Sequence, residues 1–209
     1  MKKETKKPKQ RILEAATSLF AQKGYAAVGV REIAKKADVN ISMISYYFNG
    51  KAGILGIILE EFFGHYFHVL SVVDDESLSA EECVRTLAHS LVNFARENME
   101  LIIIFENVIP LELHEIDEVR DSNLRQMMDM RSRLVARFGI DPDDIFSVGT
   151  FGPMLTDIIF AKSRRIPVIK RLSPFMIDDA MYERYAEAVA DLFLYGITGI
   201  TDLNKEINN

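Results

Sequence analysis

Apolar residues recur three and four positions apart along almost the whole chain, and this spacing constrains the fold more than any other feature. Such a period places apolar side chains on one face of an α-helix, whereas a half-buried strand alternates apolar and polar residues. Prolines stand only at positions 8, 110, 142, 153, 167 and 174, so long segments contain no helix-breaking residue. The sequence therefore predicts an all-α protein.

Helix boundaries are predicted from the apolar stripes and from start and stop signals. Lys23 and Gly24 give the first helix a basic last turn and a left-handed stop, and Ser79 with Glu82 forms a capping box. Asp141-Pro142 is typical of a helix start. The predicted helices are 9–23, 30–37, 41–48, 51–72, 80–98, 100–108, 111–138, 142–164 and 175–198.

Charge divides the chain into two parts. Residues 1–51 hold eleven Lys and Arg against four Asp and Glu, which gives them +7, whereas the other 158 of the 209 residues carry −13. A basic segment joined to an acidic body predicts that the segment binds a polyanion. The acidic body argues against non-specific nucleoid packaging, which needs positive charge throughout.

Several features bear on the class and location of the protein. With 48% apolar residues the chain is globular, and the single Cys83 cannot form an internal disulfide, so a reducing cytoplasm is expected. The longest apolar runs, 53–59 and 101–105, are shorter than the ~20 residues of a membrane span. No Gly-rich phosphate loop, nucleophile elbow or positioned Cys/His pair is present, so neither an enzyme nor a cofactor is predicted.

Residues 30–48 have the sequence form of a helix-turn-helix. Two short predicted helices are joined by a three-residue turn at Asp38–Asn40, and a longer helix precedes them. Ala34 is a small residue where two crossing helices need one, and Asn40 is the expected N-cap of the second helix. The apolar residues expected to fix the crossing are Ile33, Val39 and Ile44.

The stretch RILEAATSLFAQKGYAAVGVREIAKKADVNISMISYYFNGKAGIL resembles the N-terminal DNA-binding domain of TetR-type transcriptional regulators. The resemblance covers about residues 6–66, and its G-Y, V-R-E-I-A, Y-Y-F and following lysine stand at the family's spacing. It implies a DNA-binding domain at 6–66 and a helical ligand-binding and dimerisation domain at 67–209. It also implies a homodimer that binds an inverted repeat in double-stranded DNA and responds to a small effector.

The same resemblance implies which residues contact DNA. The residues concerned are Arg31 near the start of the second helix, Ile41, Ser42, Met43, Ser45 and Tyr46 on the recognition helix, and Tyr47 and Lys51 at phosphates. The recognition helix carries no Arg, Lys or Gln, so it lacks the strongest bidentate pairings with bases. We expect specificity from Ser hydroxyls, apolar contact with thymine methyls and DNA shape.

Two positions depart from the family's pattern. Gly29 replaces the usual Thr or Ser that caps the second helix, and glycine is the weaker cap. Asp38 replaces the usual turn glycine, and aspartate is among the few residues that tolerate the left-handed region.

The body carries two broader expectations. By resemblance, helices 142–164 and 175–198 pair with their copies in a four-helix bundle, although the stripe of Met181, Tyr185, Ala188, Val189, Leu192 and Phe193 fits an ordinary core equally well. Nine Met and thirteen Phe suggest a deformable apolar interior. Candidate pocket residues, each also readable as plain core, are Phe62, Phe63, Tyr66, Phe94, Phe105, Met127, Phe151, Met154 and Ile158. Phe151-Gly152-Pro153 is expected to interrupt a helix.

Alternatives remain at the level of sequence. His65 and His68 lie three apart near Glu61, a spacing compatible with metal binding, but no further ligand is evident and no metal is predicted. The favoured function is a repressor released from DNA by a largely apolar effector. An activator of the same fold is the first alternative, and a small-molecule-binding protein or enzyme with a vestigial helix-turn-helix is the second.

Overall fold

The computed structural model describes residues 7–107, 113–163, 165–166, 171–172 and 178–207, and over these residues every regular element is helical. The all-α prediction is therefore confirmed. The α-helices are α1 (Pro8–Lys23), α2 (Val30–Ala37), α3 (Ser42–Phe48), α4 (Lys51–Leu70), α5 (Ala80–Glu97), α6 (Met99–Asn107), α7 (Asp117–Ala136), α8 (Ile145–Phe151), α9 (Met154–Ser163) and α10 (Asp179–Ile207). Short 3₁₀ helices lie at Ser71–Asp74 and His114–Ile116.

The chain forms two compact units. The first unit combines Met1–His65 with Glu100–Leu124, and the second combines Tyr66–Met99 with Arg125–Asn209. Helices α4 and α7 each pass from one unit into the other. All of α6 except Met99 belongs to the first unit, as does the 3₁₀ helix after it. Each unit is described by itself below.

In the first unit, α1 packs against both α2 and α3. The predicted stripe of the first helix, which includes Ile12, Leu19 and Phe20, is buried. Ile33 of α2 and Ile44 of α3 are almost completely buried, as expected of residues that fix the helix crossing. Burial of these side chains supplies the main stabilisation of a unit whose helices α2 and α3 are too short to form alone.

In the second unit, α5 packs against both α9 and α10. Leu87 and Leu91 of α5 and Ala186 and Ala190 of α10 lie in this core. At its edge the Arg85 guanidinium pairs with carboxylates of α5 and α10, at 3.0 Å from Glu81, 2.7 Å from Glu187 and 2.9 Å from Asp191. These pairs are partly exposed and contribute less than the apolar core does.

The capping box at the start of α5 is confirmed. The Ser79 hydroxyl accepts a hydrogen bond from the Glu82 backbone N–H at 3.2 Å, and the Ser79 N–H donates to the Glu82 carboxylate at 2.9 Å. Hydrogen bonds from the backbone N–H and the side chain of Ser79 to the Glu82 carboxylate hold the pKa of that carboxyl below its usual range.

The predicted helix start at Asp141-Pro142 is wrong. The Asp141 carboxylate accepts from the backbone N–H of Asp143 at 3.0 Å, which closes a turn instead of opening a helix. The cap is Asp144, whose side chain accepts from the Phe146 N–H at 3.1 Å, and α8 begins at Ile145. The break expected at Phe151-Gly152-Pro153 is confirmed, because α8 ends at Phe151 and α9 begins at Met154.

Other predicted boundaries differ from the structure by one residue or more: α1, α3 and α6 begin at Pro8, Ser42 and Met99, α5 ends at Glu97, and α10 runs past residue 198 to Ile207. Helix α4 ends at Leu70 and continues as a 3₁₀ helix instead of reaching residue 72 as an α-helix. Within the predicted segment 111–138, α7 begins only at Asp117 and ends at Ala136, and residues 111–112 lie outside the described residues. The predicted start at residue 175 also lies outside them, and α10 contains a non-helical residue, Gly196 with φ 67°.

Two stretches, Lys51–Asp74 and Ile145–Lys162, are long and apolar enough to cross a membrane. Half of the first window and 33% of the second are buried within the fold. Core helices of a folded protein have the same length and hydropathy, so these stretches do not by themselves indicate a membrane protein.

Candidate nucleic-acid interface and ligand pocket

The turn between α2 and α3 is built by Asp38 and Asn40. Asp38 adopts the left-handed conformation expected for it, with φ 53° and ψ 54°. The Asn40 side-chain oxygen accepts from the Ser42 N–H at 2.9 Å and closes the turn. The N-cap of α3 is Ile41, however, so the prediction that Asn40 caps this helix is wrong by one residue. The Arg11 guanidinium lies 3.4 Å from the Asp38 carboxylate. A positive charge therefore lies beside the carboxylate that this chain has where the family usually has glycine.

Helix α3 presents one exposed face above its buried residues Ile44 and Phe48. Tyr46 is 81% exposed and Ile41 is 43% exposed. Ser42 and Ser45 are also exposed, whereas Met43 is half-buried. The predicted base-contacting residues therefore share one accessible surface, with Met43 at its margin.

The predicted phosphate contacts flank this surface. Arg31 of α2 is exposed and Tyr47 is half-buried, with its ring 5.0 Å from that of Tyr46. Lys51 also has an internal role, since its ammonium donates to the carbonyl oxygens of Tyr25 at 2.9 Å and Val28 at 3.0 Å. Those bonds fasten the start of α4 to the loop before α2.

Burial around Lys51 changes two ionisation equilibria. The ammonium stands 4.0 Å from the centre of the Tyr25 ring, a cation–π contact. Removal from water lowers the pKa of Lys51, and burial together with the Glu115 carboxylate raises the pKa of Tyr25. Sequence reasoning missed this fastening role, because the carbonyl partners carry no side-chain signal.

The predicted pocket residues do not form one group. Phe62, Phe63 and Phe105 form an aromatic cluster in the first unit, where the rings of Phe62 and Phe105 stack at 4.6 Å. Tyr66 and Phe94 contact Phe160 in the second unit, with ring centres about 6 Å apart. Met127 is buried, whereas Ile158 and Met154 are half-buried and Phe151 is exposed.

The second unit contains a small internal cavity of about 10 Å³, enough for one water molecule. Tyr66 is the predicted pocket residue that lines it. Gly152, from the break expected at Phe151-Gly152-Pro153, also lines it. Sequence reasoning missed two further lining residues, Arg131 and Thr156, because they lie on different helices, α7 and α9. Burial raises the pKa of Tyr66 to about 12, so its hydroxyl is neutral at physiological pH.

An open apolar groove of about 340 Å³ lies elsewhere in the second unit. It brings together Phe151 and Met154, both predicted pocket residues, with Phe138 of the segment after α7 and Leu192 and Phe193 of α10. Helix α8, which ends at the groove residue Phe151, begins with two exposed apolar residues: Ile145 is 79% exposed and Phe146 is 76% exposed.

No arrangement of metal ligands accompanies these sites within the described part of the chain. Glu61, His65 and His68 are all exposed on α4. No group of three or more His, Cys, Asp or Glu side chains among the described residues is placed to hold a metal ion.

Comparisons with known proteins identify the helix-turn-helix. Residues 12–56 match the family model described as "Bacterial regulatory proteins, tetR family". The chain is 32% identical over 118 residues to the "Probable HTH-type transcriptional regulator YttP" of Bacillus subtilis (strain 168), an alignment that spans 56% of this chain and 57% of that protein. It is 30% identical over 134 residues to the "HTH-type transcriptional repressor Rv3405c" of Mycobacterium tuberculosis (strain H37Rv), covering 61% of this chain and 69% of that protein.

The fold extends this likeness beyond the helix-turn-helix. The crystal structure of the transcriptional regulator FadR from Bacillus subtilis, determined in complex with stearoyl-CoA, matches with a TM-score of 0.67 at 18% identity. That match covers 90% of this chain and 99% of the other. The matched helix-turn-helix and the identity to curated relatives show that the chain belongs to the TetR family of helix-turn-helix transcriptional regulators. This is a family of DNA-binding proteins and not of enzymes.

Proposed function

We propose that the chain is a homodimeric repressor that binds an inverted repeat in double-stranded DNA and is released from it by a small, largely apolar effector. In this proposal residues 6–66 bind DNA and residues 67–209 bind the effector and form the dimer. The exposed face of α3 is the observation that carries the proposal. A cytoplasmic location goes with it.

The DNA contacts proposed are those of Arg31, Ile41, Ser42, Met43, Ser45, Tyr46, Tyr47 and Lys51. Tyr46 and the two serines extend from a helix whose other side is buried in the unit, which leaves them accessible to base edges. The net charge of +7 over residues 1–51 favours approach to phosphates. Lys51 can use two of its three donors internally and still offer one to a phosphate.

Dimerisation is proposed through the helices of segments 142–164 and 175–198, which are α8 and α9 in the first segment and α10 in the second. Ile145 and Phe146 are large apolar residues exposed at the start of α8, and the apolar groove presents Phe151, Met154 and Phe193. Exposed apolar surface of this kind is typical of an interface. A two-fold dimer can set two recognition helices about 34–36 Å apart, one turn of DNA.

The effector is proposed to be largely apolar because the interior of the second unit is lined mainly by Leu, Val, Met and Phe side chains. FadR of Bacillus subtilis, whose fold this chain shares, was crystallised with stearoyl-CoA, a molecule with a long apolar chain. A ligand that prefers the state that does not bind DNA lowers operator affinity by that preference. The same fold could serve an activator. Release from DNA is common to both, so only a measurement of transcription distinguishes an activator from a repressor.

Selection from a random duplex library near physiological salt tests the proposal. Wild type should recover an inverted repeat, while a variant carrying Arg31→Ala and Tyr46→Ala should lose the preference, since both side chains are exposed and their removal leaves the core intact. Arg125→Ala, which removes an exposed positive charge from the second unit, is the matched control and should recover the wild-type sequence. Equal recovery of unrelated sequences by all three proteins would contradict the proposal.

A further inference from the structure

The basic side chains of the first unit fall into two groups. In one group the cation is bonded within the unit, as the Lys36 ammonium is to the Ser18 hydroxyl at 2.8 Å and the Lys51 ammonium to two carbonyl oxygens. In the other group the cation has no hydrogen bond or ion pair with a described residue. Lys9, near the start of α1, belongs to this second group and is exposed.

Lys9 lies at the end of the recognition helix. Its ammonium is 5.9 Å from the centre of the Phe48 ring, and Phe48 is the last residue of α3. The ring of Phe48 lies 6.2 Å from that of Tyr47, which in turn lies 5.0 Å from that of Tyr46. A row of three rings therefore runs from the exposed Tyr46 to the exposed cation of Lys9.

Close packing fixes the corner at which Lys9 lies. Asn49 ends α3 in the left-handed conformation, with φ 55°, and α4 begins at Lys51. A Cβ built on Gly53 would overlap the Phe48 carbonyl oxygen, so only glycine lets the first turn of α4 pack this closely against the end of α3. The buried Phe48 ring is thus a fixed neighbour for the Lys9 side chain.

The surroundings of Lys9 along the chain are strongly basic. Residues 1–11 hold six Lys and Arg against one Glu, and the first turn of α1 contains no acidic residue. Because no described carboxylate pairs with Lys9, its charge is available to an anion from outside the protein.

Lys51 lies at the same corner and differs from Lys9 in how its donors are used. Two of the three donors of Lys51 are engaged by the carbonyl oxygens of Tyr25 and Val28. All three donors of Lys9 are free of described acceptors. The family's spacing points to Lys51 alone, because it says nothing about which other cation the fold brings to the end of α3.

A recognition helix in the major groove lies between two rows of phosphates, since the groove is about 12 Å wide. A cation at the end of that helix can reach one of these rows. An ammonium binds phosphate oxygens without regard to the bases, and the contact releases counterions from the duplex.

We propose that Lys9 binds a phosphate of the duplex beside the end of α3. Helix α1 then takes part in DNA binding together with α2, α3 and α4. The contact raises the affinity for any duplex and leaves the choice of base sequence to α3. The proposal rests on the DNA-binding function proposed above and adds a residue to it.

Fluorescence anisotropy of the full chain tests this contact on two labelled duplexes, the one recovered by selection and one of unrelated sequence, over a series of salt concentrations. Lys9→Met removes the ammonium and keeps an apolar stem beside Phe48. Lys9→Arg keeps the charge. Lys36→Met removes an equally exposed lysine of the same unit whose ammonium is already bonded to Ser18, and it is the matched control.

For Lys9→Met we expect the slope of log affinity against log salt to fall by about 1 for each protomer bound. Near physiological salt its affinity should fall about three- to tenfold, and by the same factor on both duplexes because a phosphate carries no sequence information. Lys9→Arg and Lys36→Met should keep the wild-type slope.

Two results would overturn the inference while the proposed function stands. Equal slopes for wild type and Lys9→Met would exclude the contact, and equal reductions in Lys9→Met and Lys36→Met would show that only the net charge of the unit matters. Binding of neither duplex by wild type would overturn the proposed function as well. If the circular dichroism of Lys9→Met shows an unfolded chain, Lys9→Gln serves instead, with the same expected fall in slope.

Discussion

The two units of this protein place their polar groups in opposite ways. The helix-turn-helix buries an apolar core that includes Ile33 and Ile44 and exposes Tyr46 on its surface. The second unit keeps Tyr66 and Thr156 inside, hydrogen-bonded next to a cavity. The difference teaches that exposed side chains of α3 such as Tyr46 can be changed without loss of stability, whereas the polar side chains inside the second unit also support the fold.

The largest expected effect separates the core of α3 from its surface. Ile44→Ala should lower the free energy of unfolding by about 2–5 kcal/mol, because the side chain is fully buried and its removal leaves a cavity. Tyr46→Ala, two residues away, should change it by less than about 0.5 kcal/mol. Urea denaturation followed by circular dichroism measures both. Similar losses in the two variants would contradict the assignment of opposite faces.

A second prediction uses the buried phenol of Tyr66. Its pKa of about 12 in the folded chain exceeds the ordinary value of 10.0 in the unfolded chain, so the folded state favours the neutral form. The resulting stabilisation is complete below pH 10 and is lost as the pH rises to 12, by about 2–3 kcal/mol in all.

Urea midpoints between pH 9 and pH 12 check this prediction. Tyr66→Phe should lose less stability across this interval than wild type, while Tyr46→Phe, which removes an exposed phenol, should follow wild type. An identical pH dependence in wild type and Tyr66→Phe would show that the phenol does not titrate as proposed.

A third prediction tests the close approach of the break between α8 and α9 to α7. Gly152→Ala should destabilise the protein by about 1–3 kcal/mol, since the new Cβ would meet both the Arg131 side chain and the Val148 carbonyl oxygen at 2.6 Å. Gly149→Ala, in α8 with no heavy atom within 4 Å of its new Cβ, should instead stabilise it by about 0.5–1 kcal/mol. Thermal unfolding distinguishes the two, and the same sign in both would exclude the contact.

The smallest predicted effect concerns Lys51, which bonds to backbone carbonyl oxygens within the first unit and is also proposed to contact a phosphate. Lys51→Met keeps the apolar stem but removes the ammonium that binds the Tyr25 and Val28 carbonyls, so we expect a loss of about 1 kcal/mol in stability. If the third donor holds a phosphate, the slope of log affinity against log salt should also fall by about 1. An unchanged slope would confine Lys51 to the internal role.

Helices, caps and the helix-turn-helix were predictable because their signals are local. The period of the apolar residues marks each helix, Ser79 and Glu82 mark a cap, and Asp38 tolerates the left-handed turn. The start at Asp141-Pro142 failed because an Asp side chain also closes turns, and the sequence alone does not separate the two uses.

The pocket was much less predictable. Phe62, Phe63 and Phe105 have the spacing expected of a pocket wall, yet they form a cluster in the first unit. Arg131 and Thr156 carry no local signal, because their significance arises only when α7 and α9 bring them to Tyr66. Sequence patterns describe one helix at a time, whereas such a site belongs to several.

The most direct test of the division between the two units is operator affinity, measured by fluorescence anisotropy on the duplex recovered by selection, together with the free energy of unfolding of the same variants. Wild type should bind the operator. Tyr46→Ala should bind it weakly at wild-type stability, and Arg125→Ala should match wild type in both measurements. Full operator binding by Tyr46→Ala would contradict the account.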